Sequence, residues 1–126
     1  MKIESHRDLI VWQKAMELAV LIYPLTKDFP KTENYRLTYQ LTRAATTVPA
    51  NIAEGHARGT RKDYANFLSI AKGSLAQTET FLLIARELNF TTLENTNSAL
   101  SLIVKIGKML TSLRSKFLSS SATCNL

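Results

Sequence analysis

Apolar residues recur along this chain at intervals of three and four, the spacing that gathers side chains on one side of an α-helix. A first stripe runs Leu9, Trp12, Ala15, Met16, Ala19, Ile22, Tyr23, and a second Leu37, Leu41, Ala44, Ala45, Val48, Ile52. The third comprises Tyr64, Phe67, Leu68, Ala71, Leu75, Thr78, Leu82 and Ala85; the fourth is Ala99, Ile103, Ile106, Leu110, Leu113 and Phe117. No stretch alternates apolar and polar residues as a half-buried strand does. The pattern predicts four helices over about 6–28, 33–56, 61–89 and 92–117. Three of the starts carry a hydroxyl residue followed three positions later by a carboxylate: Ser5 with Asp8, Thr60 with Asp63, Thr91 with Glu94. Such a pair can satisfy backbone donors that a helix leaves open at its beginning. Pro30, Gly55 with Gly59, and the Asn89–Thr92 segment mark the stops. Connections this short favour antiparallel neighbours, so the expectation is an all-α, up-down-up-down four-helix bundle over residues 1–118, followed by a polar, flexible tail over 119–126. Pro49 falls inside the second stripe, where its ring removes one ladder bond and disturbs the carbonyl of Ala45. The apolar register persists from Val48 to Ile52, which predicts one kinked helix, with Thr46 or Thr47 placed to help the freed groups.

The first helix holds more apolar residues than one stripe can use. Val11, Leu18 and Leu25 repeat every seven residues, with Leu21 between them, and fall well round the cylinder from Trp12. The third helix repeats the pattern with Ile70, Phe81, Ile84 and Leu88 beside its main seam. Contiguous apolar surface on a small bundle more often marks an interface than bare solvent contact. These eight residues are therefore the candidate self-association surface, and a homo-oligomer is expected.

Composition narrows the class. The chain has 126 residues with 45% hydrophobic and 21% charged, and only four Gly and three Pro, which excludes a disordered or low-complexity polymer. Its longest apolar run, Leu18 to Leu25, is far short of the roughly 18 residues a membrane span needs. The polar N-terminus shows no secretory signal, so a cytoplasmic location without membrane contact is expected. A single cysteine, Cys124, permits neither an intrachain disulfide nor a multi-cysteine metal site. The net charge is +6, and the excess is concentrated: residues 31–63 carry six basic groups against three acidic, and 91–126 four against one. Arg36 and Arg43 lie a heptad apart on the second helix, Arg58, Arg61 and Lys62 cluster at its end, and Lys105, Lys108 and Lys116 share the outer side of the fourth. Aligned by neighbouring helices or subunits, these eight cations form a surface suited to a phosphate backbone, with affinity gained through counterion release rather than base readout.

Catalytic chemistry is not visible. No Glu-x-x-His pair is present, and His6 and His56 fall at helix ends without a carboxylate three positions before them, so no di-metal site is expected. The GHARGTRK stretch (Gly55 to Lys62) brings glycines and cations to a helix start but lacks the spacing and preceding strand of a nucleotide-hydrolysing loop. Glu54, one turn from Arg58 and on the same side as Arg43, reads as part of an ion-pair network or interhelix clamp, with Glu79 a further candidate partner. No catalytic residue, metal or cofactor is expected.

Three segments carry a resemblance: DLIVWQKAMELAVLIYPLTKDFP (Asp8–Pro30), LTRAATTVPANIAEGHARG (Leu41–Gly59) and DYANFLSIAKGSLAQTET (Asp63–Thr80). They resemble the four-helix-bundle proteins encoded in intervening sequences of bacterial 23S ribosomal RNA genes, and the block containing Pro49, Asn51, Glu54 and Gly55 is the most specific part. Thr47 and Val48 stand where that family usually has Ser and Ile, and the resemblance weakens through the fourth helix. The family is similar to the basic accessory protein of diversity-generating retroelements, and it has no established enzymatic activity. The resemblance implies a ring-like homopentamer associated with nucleic acid. The expected function is thus a non-catalytic homo-oligomer binding RNA or other nucleic acid through a basic surface; a protein-interaction scaffold is the alternative.

Overall fold

The computed structural model describes residues 3–124, with side chains described through Leu118. Four helices carry the fold: α1 (Ile10–Leu25), α2 (Leu37–Arg58), α3 (Arg61–Glu87) and α4 (Leu93–Cys124). Short 3-10 turns at His6–Asp8, Thr26–Asp28 and Lys31–Glu33 precede and follow α1, and no strand occurs among the described residues. Helix α1 packs on α2 and α4, and α3 on α2 and α4, so each helix has two neighbours and the four enclose one core. Leu18, Ile22, Leu41, Ile52, Leu68, Leu82, Ile106 and Leu110 are its largest fully buried hydrophobic side chains. Burial of that apolar area, not helix propensity, is what holds elements of this length together.

The helix starts differ in detail from the sequence pattern. Ser5 and Asp8 do form a reciprocal capping box, but it closes the His6–Asp8 turn, and α1 begins after Leu9 with no side-chain cap. Thr60 caps α3, its Oγ accepting from the Asp63 N–H at 3.1 Å. At α4 the cap is Thr92, whose Oγ accepts from the Asn95 N–H at 3.1 Å. Thr91, the residue expected there, is buried with its hydroxyl unpaired. Gly59, at φ +83°, ends α2 in the left-handed conformation that glycine adopts without a Cβ penalty. Helix α4 continues through Cys124, well past the expected end near Phe117, so most of the expected tail is helical; Asn125 and Leu126 lie outside the described residues.

Helix α2 runs unbroken through the buried Pro49. The expected help for the freed carbonyl of Ala45 is not found: Thr47 Oγ1 donates to Ala44 O and Thr46 Oγ1 to Thr42 O. Asn51 Nδ2 instead adds a second donor at Thr47 O, at 2.8 Å.

The face of α1 that enters the core is a correction to the sequence reading. Val11, Ala15, Leu18, Ala19 and Ile22 are buried, while Met16 and Tyr23, assigned to the core, are exposed. The buried arc is rotated by about 75° from the expected stripe, taking 100° per residue. Contact with both α2 and α4 sets the phase: the inward direction lies between those two neighbours and is centred on Leu18 and Ile22. Val11 and Leu18 are therefore core residues, unavailable to an interface, and Leu21 and Leu25 are half-buried against the same core. On α3, Phe81 is likewise half-buried, whereas Ile70, Ile84 and Leu88 remain 44, 41 and 55% exposed.

Candidate nucleic-acid interface

The cations singled out from the sequence are all exposed, but the fold divides them into separate groups. Arg58, Arg61 and Lys62 flank the two-residue connection between α2 and α3. Arg58 is partly neutralised there: its Nε lies 2.7 Å from Glu54 Oε2, one turn back, and its guanidinium lies 5.0 Å from the Phe67 ring centre. That is the ion pair expected between positions four apart, and both partners are about half exposed, so it adds little stability. The other ion pair among the described residues is Lys14–Glu17, so Glu79 acts as no clamp.

Helix α4 completes this end of the bundle. The Phe117 ring packs 4.3 Å from Tyr64, Tyr64 lies 5.7 Å from His56, and the Arg61 guanidinium lies 5.7 Å from Phe117. Between the first turns of α3 and the late turns of α4 an open-sided pocket of about 490 Å3 is lined by Arg61, Lys62, Asp63, Asn66, Arg114 and Phe117. Lys108 and Lys116 border a second depression, of about 540 Å3, with Leu9, Val11 and Met109 between α1 and α4. Lys105 faces Lys14 and Glu17 across a groove further along the same pair of helices.

Arg36 and Arg43 stand apart from these. Arg36 immediately precedes α2. Arg43 lines a polar cleft between α2 and α3 with Gln40, Asn51, Ser74 and Gln77. Because α2 and α4 are not neighbours, a single chain does not join Arg36 and Arg43 to the α4 lysines.

Sequence reasoning missed Arg114. It falls at the edge of the apolar stripe of α4, away from the outward lysines, and an arginine at the border of a core face was the signal available. Its Nε is sealed from solvent and has no hydrogen-bond acceptor. Two groups at this end have perturbed titration. Burial pushes the Tyr64 phenol above its ordinary value. The Asp8 carboxyl is held below the usual range chiefly by the backbone N–H of Glu4, then that of Ser5. No group of three or more His, Cys, Asp or Glu suited to a metal occurs among the described residues, and no described helix is long and apolar enough to cross a membrane.

The sequence profile of the 23S rRNA-intervening sequence protein family matches residues 7–112. The chain belongs to this family. A solved member of the S23 ribosomal protein family, a protein of unknown function from Bacteroides thetaiotaomicron VPI-5482, is 29% identical and superposes with a TM-score of 0.77. The alignment covers 83% of this chain and 98% of that one. No curated protein matches the chain. Within the family span lie Arg61, Lys62 and the α4 lysines 105 and 108; Arg114, Lys116 and Phe117 lie beyond it.

Proposed function

We propose that this chain is a non-catalytic, cytoplasmic homo-oligomer that holds structured RNA or other nucleic acid by its phosphates, with little sequence preference. The observation that carries the reading is the gathering of Arg61, Lys62 and Arg114 at one end of the bundle, without ion-pair partners among the described residues, on a chain of net charge +6. Such a surface attracts polyanions by counterion release and offers no base-reading element. Membership of a family named for intervening sequences of 23S rRNA agrees with an RNA partner.

The assembly we infer is antiparallel, up-down-up-down, with α2 bent at Pro49. Contact of Tyr64 with Phe117 at one end and of Phe29 with Phe90 at the other supports that order. Self-association is supported by the outer face of α3, where Ile70, Gly73, Ala76, Gln77, Thr80 and Ile84 are all exposed and uncharged. A homopentamer is the assembly implied by the family resemblance, and light scattering counts the copies.

Fluorescence anisotropy with a single-stranded RNA across a salt series tests the function. Binding should weaken steeply with salt, and Arg61→Glu with Lys62→Glu should flatten the slope by about one unit per cation removed. Absence of binding even at low ionic strength overturns the proposal. A stoichiometric protein partner that survives high salt would favour the scaffold reading instead.

A further inference from the structure

The pocket between α3 and α4 has properties that diffuse positive charge does not require. Three of its lining side chains, Arg61, Lys62 and Arg114, are cationic against one carboxylate, Asp63, which also lines it and makes no ion pair with them. Arg114 Nε is a fully shielded donor without an acceptor, a state that costs free energy until an acceptor arrives. In the first turn of α3, Thr60 occupies the N–H groups of Asp63 and Tyr64, which leaves those of Arg61 and Lys62 open to an outside acceptor. Arg58, by contrast, is already satisfied by Glu54.

We propose that this pocket is a phosphate receptor, in which the half-buried Arg114 offers its guanidinium and Arg61 and Lys62 close on the anion from α3. The inference rests on the nucleic-acid reading above and narrows it to one place where a phosphate is held by directed hydrogen bonds. A guanidinium suits the task because two parallel N–H donors match two phosphate oxygens, which an ammonium does not. The Phe117 ring is already engaged by Tyr64 at 4.3 Å and by Arg61 at 5.7 Å, which argues against base stacking and for recognition of the phosphate itself.

The test titrates the full chain at low ionic strength with inorganic pyrophosphate, and separately with an oligoribonucleotide carrying or lacking a 5′-phosphate, while the Arg114 Nε–H resonance is followed by NMR. The expected result is a shift of that resonance with pyrophosphate and with RNA. Arg114→Gln and Arg114→Lys should each weaken RNA binding about tenfold, the lysine variant because it keeps the charge but loses the fork. Lys27→Gln, in the exposed turn that follows α1, should change it by about twofold or less. Thermal melts of both Arg114 variants identify any that fails to fold, and the resonance in the unmodified protein gives the answer independently. A stronger response to the 5′-phosphorylated strand assigns the receptor to a chain end; an equal response assigns it to internal phosphodiesters. RNA binding with an unshifted Arg114 resonance overturns the receptor and leaves the basic-surface function standing. A shift with pyrophosphate but no RNA binding supports the receptor and overturns the function beneath it.

Discussion

Gly55 sits in α2 tight against Tyr64 and Phe67 of α3, and replacing it tests how the two helices are fitted. A Cβ added at Gly55 would lie 2.7 Å from Phe67 Cβ and 3.4 Å from Tyr64. The first contact is with a carbon fixed to the backbone, so no side-chain rotation relieves it. Bringing it to the 3.4 Å edge of ordinary contact requires the helices to part locally by about 0.7 Å. Overpacking of this kind costs about 1–3 kcal/mol, while replacing glycine by alanine inside a helix returns up to about 1 kcal/mol. Gly107 supplies the control: it lies in α4, and the added carbon would meet Leu75 Cδ2 at 3.6 Å, an ordinary contact. Gly107→Ala should therefore stabilise by about 0.5–1 kcal/mol, and Gly55→Ala should fall below it by about 1–3 kcal/mol, the helix-propensity gain cancelling in the difference. Chemical denaturation of both variants, compared at equal m-values, measures that gap. Equal midpoints for the two variants would refute the claim that α2 and α3 touch at Gly55.

The corrected face of α1 separates core from interface. Leu18→Ala should cost about 3 kcal/mol in chemical denaturation at any protein concentration, whereas Ile84→Glu should lower the assembly size in light scattering and leave the folded subunit's own stability within about 0.5 kcal/mol. Thr60→Ala should cost about 1 kcal/mol through loss of the α3 cap, read from the same denaturation curves. The Tyr64 phenol titrates above its ordinary 10.0 because it is buried, so its stabilising contribution is complete below pH 10 and is lost as pH rises through the folded value. Tyr64→Phe should thus gain stability relative to the parent chain as pH is raised past about 10, and a constant difference would sink that account.

The number, type and order of the elements were legible because α-helices of this size are specified by a local period that no other structure satisfies. Boundaries followed where a hydroxyl caps the helix itself, as at Thr60, and where a glycine takes the left-handed turn, as at Gly59, but not at Ser5, whose capping box closes a separate turn ahead of α1. They failed at Thr91, where two adjacent threonines offer equivalent hydroxyls and only the burial of one decides which can cap. The face of α1 was illegible for a related reason: the helix carries two overlapping apolar arcs, and the direction of its neighbours, a property of the whole fold, selects between them. Grouping of the basic residues was readable only along one helix at a time. Arg61 and Lys62 could be paired by sequence proximity, but their meeting with Arg114 depends on α4 returning to the start of α3.

Helices α2 and α3 are joined by Gly59 and Thr60 alone, and they share the broadest packing surface in the molecule. Contacts between segments so near in sequence carry a small loop-closure penalty, so this pair can form early on the folding path, before α1 and α4 have settled. Its amides should then be the last to exchange with solvent under native conditions. A chain that has completed only this pair already displays Arg61 and Lys62, but acquires Arg114 only when α4 docks, which ties phosphate capture to the completion of folding.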